Sequence, residues 1–165
     1  MPGRGNALLF FILAMLVGFI EEAYFRGMML RALLVKGPWL AAIISSFLFG
    51  GLHLLHLIEG QNLAATLVQV ASAMALGFLF AAVALRTQSI LPLIVIHGLT
   101  DFVAFLVLNG TRITYAPSSG AVTDTAVEAL IYIALGVIAL RRMRPPELNP
   151  DLSDGRGKAL SESGI

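Results

Sequence analysis

Five long apolar runs, at residues 6–34, 39–58, 63–85, 90–108 and 125–140, fill most of this 165-residue chain. A helix needs about 20 apolar residues to cross roughly 30 Å of hydrocarbon, and each run is near that length, the first being longer. Hydrophobic residues make up 58% of the chain and charged residues 13%, with a mean hydropathy of +0.86, which excludes a water-soluble domain of ordinary make-up. The expected fold is all-α and integral to a membrane, a bundle of about five transmembrane helices.

The gaps carry helix breakers: Lys36-Gly37-Pro38, Glu59-Gly60-Gln61-Asn62 and Arg86-Thr87-Gln88. Pro92 falls in the first turn of the fourth run, where its missing N–H costs little. Residues 109–124 read as an exposed loop around Pro117. From Arg144 the chain turns polar and proline-rich, so residues 1–143 form the expected membrane core and 144–165 a disordered tail. Arg4 ahead of an apolar run resembles a signal peptide. The run ends in Glu21-Glu22 instead of a small-residue cleavage site and further spans follow, so the segment reads as retained.

An odd number of spans puts the termini on opposite sides. One side collects Arg31, Lys36, Arg86, Arg141, Arg142 and Arg144, with Arg156 and Lys158 in the tail; the other collects Arg4 and Arg112. Positive charge favours the cytoplasm, so the N-terminus is expected outside and the C-terminus inside. A net charge of +1 with dispersed basic residues argues against a nucleic-acid partner. With no cysteine there is no disulfide, thiol nucleophile or thiolate metal site, and chemistry must rest on carboxylates, histidines or hydroxyls.

Charged groups inside a span cost at least ~2.5–3.5 kcal/mol each and usually face a cavity or one another. This chain places Glu21, Glu22 and Arg26 in its first run, His53 and His56 in the second, and His97 and Asp101 in the fourth. Glu22 and Arg26 stand four apart with the acid first, the favourable order, and read as a self-neutralising pair. Glu21 lies about 100° around the helix and stays free for other work. Asp101 follows His97 by four and reaches its imidazole; Phe49 precedes His53 by four. His56, near a span end, reads as interfacial. Gly50, Gly51 and Gly98 beside the histidines favour close backbone approach. Singly, each group reads as an interhelical hydrogen bond; together, on three spans, they read as a polar active-site cavity.

Glu21-Glu22-Ala23-Tyr24-Phe25-Arg26, Phe49-Gly50-Gly51-Leu52-His53 and His97-Gly98-Leu99-Thr100-Asp101 resemble, in order, the EExxxR, FxxxH and HxxxN/D motifs of the CPBP intramembrane proteases. That family includes the type II CAAX prenyl endopeptidases and the Abi proteins of bacteriocin processing and immunity. The resemblance implies Glu21 as general base with His53 helping to activate water, His97 and Asp101 stabilising the oxyanion, and Glu22, Arg26 and Phe49 in support. Amide hydrolysis needs such a base and such donors, and no serine or cysteine nucleophile. Asp101 stands where the prenyl endopeptidases tend to have Asn; an ionised Asp cannot donate, so it is protonated or orients a charged His97. Eukaryotic members commonly have eight spans with the first motif on the fourth. Here the core suffices, a homo-oligomer supplies the missing wall, or the start is truncated.

A metal-free mechanism is favoured; were a divalent cation such as zinc held, Glu21, Glu22, His53 and His97 would be its ligands. The expected partners are the bilayer and a hydrophobic peptide or protein substrate, in the inner membrane of a bacterial or archaeal cell. The alternative is a non-proteolytic scaffold, immunity or small transport protein that uses the polar cluster as a proton relay.

Overall fold

The first apolar run forms one continuous rod of mixed helical type. Arg4–Glu22 (α1) is α-helical, Ala23–Met29 widens into a π-helix, Leu30–Leu33 (α2) returns to α, and Leu34–Lys36 tightens into a 3-10 turn. Gly37, at φ 89°, ends the rod in a conformation that strains any L side chain. Pro38 opens α3 (Pro38–Leu52) at the first helical position, where no N–H is missed. A turn at His53 and Leu54 leads to the short α4 (Leu55–Ile58). The structure is a computed structural model and describes residues 4–109, 111 and 113–141.

Asn62 caps α5 (Leu63–Thr87) by accepting from the amides of Ala64 and Ala65. Gln88 and Asn109, both left-handed, close α5 and α6 (Leu91–Leu108). The last helix, α7 (Ser119–Arg141), starts six residues before the expected 125. Ser118 explains the difference: its Oγ accepts from the Ala121 amide at 3.2 Å, so a stretch that looks like a turn is a helix cap and its first turns. The five elements long and apolar enough to span a membrane are Asn6–Lys36, Pro38–Ile58, Leu63–Thr87, Leu91–Leu108 and Ser119–Arg141. Among the described residues there is no strand. The tail expected over 144–165 lies outside the described residues, as do Arg112 and Arg142.

Packing runs α1 on α6, α3 on α5 and α5 on α7. Lipid tails are as apolar as leucine, so helix association in a membrane relies on close van der Waals contact and small residues. Accordingly Ala41, Ala42, Ala81 and Ala82 are fully buried, with Leu30, Phe80 and Leu93 filling the space between them. A Cβ on Gly18 would lie 2.8 Å from the Gly98 amide nitrogen, and one on Gly98 would lie 2.6 Å from Met15 Sδ, so α1 and α6 touch backbone to backbone. A Cβ on Gly50 would come 2.9 Å from the Val70 carbonyl, which sets α3 equally close to α5. Gly51 departs from expectation: it faces open space.

Candidate active site

The Gly18–Gly98 crossing levels two sets of polar groups. One turn after Gly18 come Glu21 and Glu22, and immediately before Gly98 comes His97. His97 Nδ1 lies 2.8 Å from Glu22 Oε1, and the same oxygen accepts from Arg26 Nη1 at 2.8 Å. A carboxylate bound to a guanidinium has no proton to give, so the proton of the Nδ1 contact belongs to His97. That fixes Nε2 as the edge turned outward. Glu21 Oε2 stands 3.7 Å from Nε2 and Asp101 Oδ2 3.6 Å from it. Three carboxyl groups thus surround one imidazole, two at its outward nitrogen and one at its inward nitrogen.

Burial divides these groups. Glu22 and Arg26 are sealed at 0% and 1% exposure and His97 at 6%, whereas the Glu21 and Asp101 side chains are 31% and 27% exposed. The sealed pair orients; the two open carboxyls line an accessible edge. The π-helical turn favours this division, since its wider turn brings Phe25 and Arg26 inward together, both buried. Arg26 lies over the Phe49 ring at 4.2 Å and near the Phe80 ring at 5.5 Å, and its Nη2 donates to the Gly77 carbonyl at 3.3 Å. A Cβ on Gly77 would press on both Arg26 and Phe49. Ser45 donates from α3 to the Phe25 carbonyl at 3.3 Å and ties the π-helix to its neighbour.

His53 sits at the end of α3, half-buried. Its Nδ1–H donates to the Phe49 carbonyl at 3.2 Å, which leaves Nε2 as an acceptor in the neutral ring. Phe49 packs edge-on against both histidines, 5.5 Å from His53 and 5.7 Å from His97 between ring centroids. No hydrogen bond or ion pair joins His53 to Glu21 among the described residues. His56 lies further out, paired with Glu59 at 3.3 Å, as its place near the span end suggests.

The sequence pattern brings Glu21, His97 and Asp101 together and pairs Glu22 with Arg26, as expected. It gives no sign that Glu22 also holds His97, 75 positions away, nor that Phe80 and Gly77 complete the cage around Arg26. Only the doubled Glu21-Glu22 hints that two acids on adjacent faces serve one partner. A metal fits the arrangement poorly. Among the described residues no three His, Asp or Glu side chains are grouped to hold one ion, and Glu22 Oε1 is committed to Arg26 and His97.

No curated relative and no solved structure matches the chain. The family description "Type II CAAX prenyl endopeptidase Rce1-like" does match, over residues 3–103. That stretch runs from the start of α1 past Asp101 and holds every group of the His97 cluster. On this match, over more than half its length, the chain belongs to the Rce1-like family of type II CAAX prenyl endopeptidases.

Proposed function

We propose that the protein hydrolyses a peptide bond in a membrane-associated or C-terminally anchored protein or peptide, without a metal. One observation carries the reading: Glu21 and Asp101 converge on the outward nitrogen of an imidazole whose inward nitrogen is fixed by a sealed Glu22–Arg26 pair. Glu21 takes a proton from water as the water oxygen bonds to the substrate carbonyl carbon. His53, with Nδ1–H spent on Phe49, offers Nε2 as a second acceptor for that water. His97 donates from Nε2 to the oxyanion of the tetrahedral intermediate, and Asp101 beside it orients and balances the charged ring. Glu21 then returns its proton to the leaving amine as the C–N bond breaks.

Arg31, Lys36, Arg86 and Arg141 lie at the C-terminal ends of the first, third and fifth spans, and on that pattern we place the C-terminal end of α7 in the cytoplasm. The test is cleavage of a peptide library by the detergent-purified protein beside Glu21→Gln, with and without a chelator, read by mass spectrometry. Cleavage by the wild type that chelation spares and Glu21→Gln abolishes is expected. Cleavage that survives Glu21→Gln refutes the mechanism.

A further inference from the structure

A cavity of about 650 Å³ opens between the N-terminal half of α5, the C-terminal turns of α6 and the start of α7. Its α6 wall is Ala104 and Leu108. These lie seven and eleven positions after His97, and Asp101 lies four after it, so all four residues share one helical face. Its α5 wall includes Ser72 and Gln69, which continue, two and three turns back, the face on which Phe80 meets His97. The cavity therefore begins about one turn beyond Asp101 along α6, on the side that faces Phe80 of α5.

Its size lies in the range of ligand pockets, which are mostly apolar with a few placed polar groups. None of its described lining residues is charged. It does have amides. Gln61 Nε2 donates to Gln69 Oε1 at 2.8 Å, which leaves Gln61 Oε1 and Gln69 Nε2 unclaimed among the described residues. A free carbonyl beside a free N–H2 is the complement of one backbone peptide group. An acyl chain has no use for either. The rim is held in place by the Ile113 carbonyl, which accepts from the Asn62 amide at 2.9 Å.

We infer that this cavity is the subsite that receives an uncharged, apolar stretch of the substrate chain next to the scissile bond, with the Gln61–Gln69 pair reading one of its peptide groups. The inference rests on the peptidase reading above and adds where selectivity resides. Ala104, Leu108 and the α7 wall follow residue 103, where the family match ends, so this half of the subsite belongs to the part of the chain outside that match.

Two variants leave the reacting groups alone: Ala104→Trp, from an exposed position on the cavity wall, and Gln69→Leu. On a peptide cleaved by the wild type, Ala104→Trp is expected to raise KM about tenfold or more with kcat within about twofold, and Gln69→Leu to raise KM about fivefold. In parallel, a short apolar peptide carrying benzoylphenylalanine is crosslinked to the Glu21→Gln protein in nanodiscs and the adducts are mapped. Adducts on residues 65–72 or 104–108 that Ala104→Trp abolishes support the subsite. Unchanged KM in both variants, adducts elsewhere, or cavity adducts formed only by a diazirine fatty acid overturn it. Should the wild type cleave nothing, the peptidase reading fails on its own while the crosslinks still decide whether peptide occupies the cavity.

Discussion

Replacing Arg26 by Met, or Glu22 by Gln, breaks a pair that is shut away from both lipid and water. The Glu22 and Arg26 side chains are 0% exposed, joined at 2.8 Å, and flanked by Phe25, Phe49 and Phe80. Arg26→Met leaves Glu22 to His97 alone; Glu22→Gln leaves a guanidinium with the Gly77 carbonyl and aromatic faces. Breaking such a pair from one side costs about 3–5 kcal/mol, because the surviving charge is stranded. Removing both charges strands nothing. The double variant Glu22→Gln/Arg26→Met is therefore expected to lose less stability than either single variant, so that the coupling energy exceeds the larger single loss, about 3–5 kcal/mol or more. Unfolding of the purified variants by sodium dodecyl sulfate titration in mixed micelles reads this cycle. Cleavage should behave differently. Stability returns in the double variant while activity stays at least about tenfold down, since the partner that fixes His97 Nδ1 has lost its charge. Additive stability losses, or a double variant with full activity, would refute the reasoning.

Gly98→Ala inserts a methyl 2.6 Å from Met15 Sδ and 3.1 Å from Met15 Cα, which should cost about 1–3 kcal/mol and lower cleavage by spreading α1 from α6; micelle unfolding and turnover check it together. Asp101→Asn should keep activity within about tenfold of wild type while Asp101→Ala loses about a hundredfold, the scale of removing an oxyanion-hole partner. Wild-type turnover in both variants would remove Asp101 from the site. Asn62→Ala deletes the cap of α5 and should lower stability by about 1 kcal/mol, visible as earlier unfolding with the catalytic groups untouched.

The five spans were legible because lipid imposes a length and a polarity on every crossing helix, and those marks survive in any single sequence. Boundaries followed where breakers are unambiguous, as at Gly37-Pro38, and slipped where one residue type serves two purposes, as when Ser118 caps a helix instead of making a loop. The acids and histidines stood out because their presence in an apolar run is costly. Their partnerships did not. Glu22 meets His97 through a helix crossing set by two glycines, and glycine spacing alone does not say which helix arrives at the crossing. The π-helix over Ala23–Met29 was equally hidden: a motif read with a 3.6-residue period contains nothing that announces a wider turn.

The one-sided packing of α7 bears on how the protein is made. It rests mainly on α5, along a face centred on Gly136 and Leu140, and much of its remaining surface is exposed. It also emerges from the ribosome after every group of the His97 cluster. Helices α1 to α6 can then bring the His97 cluster together while the wall that α7 adds to the neighbouring cavity has yet to insert. Biogenesis would pass through an open-sided stage, in which the polar cluster is assembled before the cavity beside it is walled.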